Sequence, residues 1–154
     1  MKIYLVRHAH ALDGEDDDAR ELSAKGRRQI RQIGAFLRWN GELETREFWH
    51  SPAVRAQDTA ERLAARLKTE TKLVEVEGLR HGDDPAIVAR KLKRLRRPVA
   101  IFGHEPHLSA LASLLLCGKA APALFVLRKG AVLCLERIDG HWAVGWQIAP
   151  NLLS

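Results

Sequence analysis

Apolar residues along this chain fall into short unbroken blocks separated by longer periodic stripes, the pattern of strands alternating with helices. Ile3, Tyr4, Leu5 and Val6 form a β-branched and aromatic run, the composition of a strand buried on both faces, and it ends abruptly in Arg7 and His8. From Ser23 the period changes. Ile30, Ile33 and Leu37 recur at spacings of three and four with Arg27, Arg28, Arg31 and Arg38 between them, which predicts an amphipathic helix capped by Ser23 and stopped near Asn40-Gly41. Glu47 to His50 reads as a second strand running into Ser51-Pro52, where serine as N-cap and proline at the first helical position predict a helix with Ala56, Ala60, Leu63 and Leu67 inward. Lys72 to Val76 is a third strand. Asp84-Pro85 repeats the cap-then-proline signal and opens a helix to Arg97 on Val88, Leu92 and Leu95. Val99 to Phe102 is a fourth strand that turns at Gly103-His104-Glu105-Pro106 into a helix through Leu108, Leu111 and Leu115 to Gly118. Ala131 to Glu136 and Trp142 to Ile148, joined at Asp139-Gly140, predict a hairpin with Trp142, Val144, Trp146 and Ile148 on one face, closing the core.

Strands alternating with helices predict an α/β fold in a single domain over residues 1–154. A chain of 154 residues buries roughly two thirds of its unfolded surface and needs no cofactor for stability. No apolar run approaches a membrane span and no signal peptide is present, so the expectation is a cytoplasmic protein. Cys117 and Cys134 stand alone in apolar surroundings and read as reduced core residues. The net charge of +6 favours an acidic partner or substrate. Two charged stretches stand out. The loop Ala11 to Leu22 carries Asp13, Glu15, Asp16, Asp17, Asp18 and Glu21, whose repulsion predicts a solvated, mobile loop, with a metal site as the sharper alternative; Arg20 is the cation at its return. Arg90, Lys91, Lys93, Arg94, Arg96 and Arg97 form a dense basic helix face.

The chemistry gathers where strands end. In open α/β sheets ligands bind at the carboxyl edge, and a guanidinium fork beside an imidazole, Arg7 with His8, suits an oxyanion such as a phosphoryl group. Arg55, on the first turn of its helix, shares the anion preference of a helix N-terminus. His104 arrives by the same strand-to-helix geometry as His8.

Leu5-Val6-Arg7-His8-Ala9, Ser51-Pro52-Ala53-Val54-Arg55-Ala56 with Thr59, and Gly103-His104-Glu105-Pro106 together resemble the histidine phosphatase superfamily, and within it the small SixA-type phosphohistidine phosphatases. Leu22-Ser23 with Gly26 and the Gly82-Asp83 loop extend the match. Ala9 stands where much of that family has glycine, and His10 where an acid often follows. The resemblance implies a three-layer α/β/α sandwich of phosphoglycerate mutase-like fold, with a mostly parallel sheet and a C-terminal hairpin. It implies a metal-free, cofactor-free phosphatase that forms a phosphohistidine intermediate on His8. Arg7, Arg55 and His104 then hold the transferring group, which phosphate or sulfate would mimic, and Arg20 adds a possible fourth donor. The proton donor is Glu105 by preference, or Asp83. Short connections leave the pocket uncovered, which suits a phosphorylated histidine domain of a protein better than a small phosphorylated metabolite. Imidazole is also an undemanding leaving group. The protein is expected to be a monomer without membrane or specific nucleic-acid partners. Two other classes compete: a metal-dependent hydrolase using His8, His10, His104 and His107, and a polyanion-binding module using the Arg90 to Arg97 face.

Overall fold

The computed structural model describes residues 1–153, and its elements follow the sequence pattern closely. Strands β1 (Lys2–Arg7), β2 (Glu47–His50), β3 (Lys72–Glu75) and β4 (Val99–Gly103) alternate with helices α1 (Ala24–Asn40), α2 (Val54–Leu67), α3 (Pro85–Arg94) and α4 (His107–Cys117). The hairpin of β5 (Val132–Ile138) and β6 (His141–Ile148) follows. The sheet runs β3-β2-β4-β1-β5-β6, with β1 to β4 parallel and β5 antiparallel to both neighbours.

The sheet is central because both its faces are apolar. Tyr4, Val6, Phe48 and Phe102 pack beneath Ile30, Ile33, Leu37 and Leu63 of α1 and α2. Ile3, Leu5, Ile101 and Leu133 pack against Val88 and Leu92 of α3 and Leu108 and Leu111 of α4. This is the three-layer sandwich. β1 and β4 are adjacent, with Arg7 opposite Gly103 in register; the residues that follow each strand therefore leave the sheet side by side.

Caps agree with the sequence at several ends. The Ser23 hydroxyl accepts from Gly26 N–H (3.0 Å) and Asp84 accepts from Ala86 N–H (2.9 Å). Gly41 closes α1 at a φ of +69°, a conformation that glycine adopts without a Cβ penalty. Asp139 and Gly140 both have positive φ, 51° and 79°, as a tight hairpin turn requires.

Five expectations need correction. α2 begins at Val54 with Ala53 as its N-cap; Ser51 instead turns its hydroxyl to Ala53 N–H (3.1 Å), and the chain needs two more residues to enter the helix. α3 ends at Arg94 because the chain turns extended at Leu95, and the residue before Pro98 is itself barred from helical geometry. A bulge between Cys134 and Leu135 of β5 sets Trp146 opposite Cys134 and Val144 opposite Leu135. The two halves of β6 therefore face opposite sides of the sheet, Trp146 and Ile148 toward α1 and Trp142 toward α3 and α4, not one face. Cys134 is buried but Cys117 is exposed, because it lies two residues, about 200° of helix, past the inward Leu115. The acidic loop is not simply solvated: it is pinned at its base by Leu12 N–H to Glu21 O (2.8 Å), folds into a 3₁₀ turn over Asp17–Ala19, and pairs two of its carboxylates with arginines.

No helix among the described residues is long and apolar enough to cross a membrane.

Candidate active site

The register of β1 on β4 brings two imidazoles together. His8 N–H donates to Gly103 O (2.9 Å), and the rings of His8 and His104 lie 5.1 Å apart, inclined at 53°. Both are buried. His8 Nδ1 is 2.8 Å from the carbonyl oxygen of Ala9. A carbonyl only accepts, so Nδ1 carries the ring proton and Nε2 keeps its lone pair. Burial pushes the His8 pKa down to about 4, with Arg55, Arg7 and Lys129 adding to the effect against the bond to Ala9. The ring is therefore neutral at pH 7, with its free nitrogen in the nucleophilic form.

His104 is set by Ser51. The Ser51 hydroxyl accepts from Ala53 N–H (3.1 Å) and lies 2.7 Å from His104 Nε2. Both of its bonds are complete when its own proton points at Nε2. His104 then carries its proton on Nδ1, a buried atom with no protein partner. Burial, then His8, Arg55 and His81, push the His104 pKa down to about 3.

Two arginines complete the cluster. Arg55, only 5% exposed, is fixed from below by Thr59, whose hydroxyl donates to Arg55 O (2.7 Å) and accepts from Ala9 N–H (3.1 Å). That single threonine ties the first turn of α2 to the loop after β1. The Arg55 guanidinium donates to Asp17 O (2.7 Å) and to Asp17 Oδ2 (3.1 Å), which uses two of its five donors and leaves three for a ligand. Arg7 donates from Nη1 to Leu127 O (3.0 Å), while its Nε is buried without a partner. Burial pulls the Arg7 pKa below its ordinary value, opposed by Glu105.

The remaining residues anticipated for the site are placed differently. Arg20 donates to Leu12 O (2.7 Å) and Asp17 Oδ1 (3.1 Å), so it braces the acidic loop. Glu105 accepts from Ser109 N–H (2.8 Å) and, on its other oxygen, from the Ser109 hydroxyl: its carboxylate caps α4. Asp83 accepts from Arg80 N–H (2.9 Å) and closes a turn. A cavity of about 130 Å³ is lined by Asp17, Asp18, Arg55, Arg80, His81 and His104; Arg7, His8, Glu105 and Asp83 all lie outside its lining. His10 turns away, its Nδ1 2.6 Å from Ser23 Oγ, so His8 and His10 do not converge. Among the described residues no group of three or more His, Cys, Asp or Glu side chains is arranged to hold a metal.

Four contributors escape sequence reasoning: Asp17, Ser51, Arg80 and His81. Asp17 holds Arg55, and Arg80 binds both oxygens of Asp18 (2.8 and 2.9 Å). His81 meets His104 edge-on at 6.4 Å. The usable signal for His81 is its place in the loop after β3, at the same carboxyl edge as the other motifs.

The fold and these residues gather two imidazoles and two arginines at the carboxyl edge of a parallel sheet, an arrangement suited to a phosphate-like anion. The family model of the histidine phosphatase superfamily (branch 1) matches residues 3–83, just over half of the chain, and the chain belongs to that superfamily; membership makes it a phosphatase. No curated protein matches it. Among solved structures, the protein histidine phosphatase SixA complexed with tungstate superposes with a TM-score of 0.88 at 24% identity, covering 100% of both chains. A protein of Agrobacterium tumefaciens described as a candidate phosphohistidine phosphatase SixA gives 0.79 at 19%, covering 97% of each chain. A protein of Escherichia coli described as a candidate α-ribazole-5′-P phosphatase gives 0.81 at 15%, covering 97% of this chain and 98% of that one. At these identities the likeness is one of fold, the phosphoglycerate mutase-like sandwich.

Proposed function

We propose that this protein hydrolyses phosphohistidine on a protein partner, without a metal, through a phosphoryl intermediate on His8. In the first half-reaction His8 Nε2 attacks phosphorus in line, the new N–P bond forms, and the P–N bond to the substrate ring breaks; that ring, protonated on its other nitrogen, leaves as neutral imidazole. In the second, water attacks the same phosphorus and the bond to Nε2 breaks, releasing inorganic phosphate. Arg7 Nε, the three open donors of Arg55 and His104 Nδ1–H meet the equatorial oxygens, each charge-assisted bond contributing about 1.5–3 kcal/mol. The bond from His8 Nδ1 to Ala9 O persists throughout and keeps the ring oriented.

The observation that carries the substrate class is the employment of the acids. Glu105 accepts from Ser109 on both oxygens, and Asp83 accepts from Arg80 N–H on one, so Glu105 is fully engaged and Asp83 partly engaged away from a leaving group. An alkoxide needs a proton to depart; an imidazole, with a conjugate-acid pKa of about 6.5, departs with little help. The SixA relative's complex with tungstate, a phosphate-like anion, accords with the same reading.

The test sets phosphate release from a phosphohistidine protein beside release from an alkyl phosphate, each with and without EDTA. The expected result is a strong preference for phosphohistidine, no loss with EDTA, and an acid-labile phosphoryl label that disappears in His8→Ala. Equal rates on both substrates, or a label that persists in the variant, overturn the proposal.

A further inference from the structure

The arginines on one side of the site are matched by acids, Arg55 by Asp17 and Arg80 by Asp18; those on the other side are not. The loop Val126 to Gly130 is clasped against the end of β1. Gly130 N–H donates to Arg7 O (3.1 Å) and His8 O (3.2 Å), and Arg7 Nη1 donates back to Leu127 O (3.0 Å). Gly130 holds a φ of +78°, and a Cβ there would come within 2.9 Å of Pro150, so the loop's path is fixed by packing. The clasp leaves a cavity of about 410 Å³ whose wall includes Arg7, His10, Lys25, Arg128 and Lys129 and no carboxylate. Among the described residues, Arg7, Lys25, Arg128 and Lys129 make no ion pair.

We propose that this cavity is an anion subsite: while the phosphoryl group lies between Arg7 and His8, a second acidic group of the same substrate, a carboxylate or phosphate, lies on Lys25, Arg128 and Lys129. This rests on the phosphatase reading of the adjoining site and narrows its substrate to molecules carrying a further negative charge close to the phosphoryl group. The cations already repel one another. Lys129 is held below its ordinary pKa by burial and then by Arg7, Arg20 and Lys25, and His10 by burial and then by Lys129 and Lys25, with Asp13 opposing in each case. An anion entering the cavity relieves that repulsion, as charges that face one another without a partner gain most from a ligand of opposite sign. Arg7 lines this cavity, so a phosphoryl group held at Arg7 and an acidic group in the cavity share one guanidinium, the bidentate planar group suited to that task. Its volume lies within the range of small-ligand sites, large enough for an acidic side chain of a phosphoprotein or the acidic end of a small ester.

The two sources are separated by using both. Phenyl phosphate and 4-carboxyphenyl phosphate form a matched pair differing in one carboxylate, and a phosphohistidine protein is assayed with and without its acidic residues beside the phosphorylated histidine. In the unmodified enzyme the carboxylated ester is preferred in kcat/KM, chiefly through KM, and the preference fades with salt. In Lys25→Met/Arg128→Met that preference falls by roughly 5-fold or more, the scale of lost charge pairs at a partly desolvated site, while Lys25→Arg retains it. Neutralising the partner's acids lowers its kcat/KM only if the protein is the source. No preference for the carboxylated ester and no effect of the partner's acids overturns the subsite, as does an equal loss on both esters in the double variant. A preference for the carboxylated ester without any turnover of phosphohistidine protein upholds the subsite and overturns the phosphohistidine reading instead.

Discussion

Two imidazoles buried in their neutral form make this fold sensitive to acid in a way that can be calculated. His8 has its pKa lowered from 6.5 to about 4 and His104 from 6.5 to about 3. In the unfolded chain both titrate near 6.5. Between those limits the unfolded state binds more protons than the folded one, so their contribution to stability is complete above about pH 7 and is lost as pH falls through 6.5 toward 4 and 3. At pH 5 each histidine costs about 2 kcal/mol relative to pH 7.5, so the pair removes about 4 kcal/mol, a large share of the 5–15 kcal/mol typical of a domain. The perturbation is His8→Gln with His104→Gln, which removes both titrations while keeping polar groups of similar reach. Urea unfolding at pH 7.5 and pH 5 measures the difference. Wild type should lose about 4 kcal/mol more than the double variant over this interval, with m-values unchanged. Every other titratable group is present in both proteins, so the comparison isolates the two rings. Parallel pH dependence in the two proteins would mean instead that these rings are not held neutral by burial.

Other predictions concern single contacts. Arg55→Lys keeps the charge but loses the fork shared between Asp17 and the ligand, and should lower kcat/KM for phosphohistidine about 10- to 100-fold with little change in melting temperature. Asp17→Asn frees Arg55 of an anionic competitor, so titration with tungstate should show binding several-fold tighter; weaker binding would show instead that Asp17 is needed to orient the guanidinium. Glu105→Ala should cost about 1–2 kcal/mol of stability through the lost cap on α4 and affect phosphohistidine and alkyl phosphate alike; a selective loss on the alkyl ester would reinstate Glu105 as proton donor, and a selective loss in Asp83→Asn would assign that role to Asp83. Gly26→Ala forces a Cβ to within 2.1 Å of His10 O, and thermal unfolding should show a loss of at least 1–3 kcal/mol because only backbone movement can relieve the overlap.

Much of this architecture could be read from residues because the signals were local. Ser23, Asp84 and Gly41 act on helices within three residues of themselves, and the run from Ile3 to Val6 announces a strand whose end must be Arg7 and His8. That β1 lies beside β4 is a fact of topology, and only it brings His8 against His104. The departures come from contacts distant in sequence. Ser51 looks like a helix cap and is occupied with His104, 53 residues away. Six neighbouring carboxylates suggest a loop left to solvent, but Arg55 and Arg80 lie 38 and 62 residues from the acids they bind. Glu105 follows a histidine, as a donor might, and its role as an acceptor emerges only once α4 has placed Ser109 over it.

The bulge in the hairpin matters for the molecule in company. β6 is an edge of the sheet, and its outer side carries exposed Val144. A regular strand of this composition would offer an unbroken ladder to another copy. The irregular step beside Gly145 interrupts that ladder, reversing the faces of the side chains midway, so an approaching strand in register with one half is out of register with the other. Gly145 also leaves room there, since a Cβ would press on Cys134 Sγ at 3.3 Å. The same irregularity that spreads the tryptophans over both faces of the sheet thus breaks the regularity of its free margin, at a distance from the chemistry.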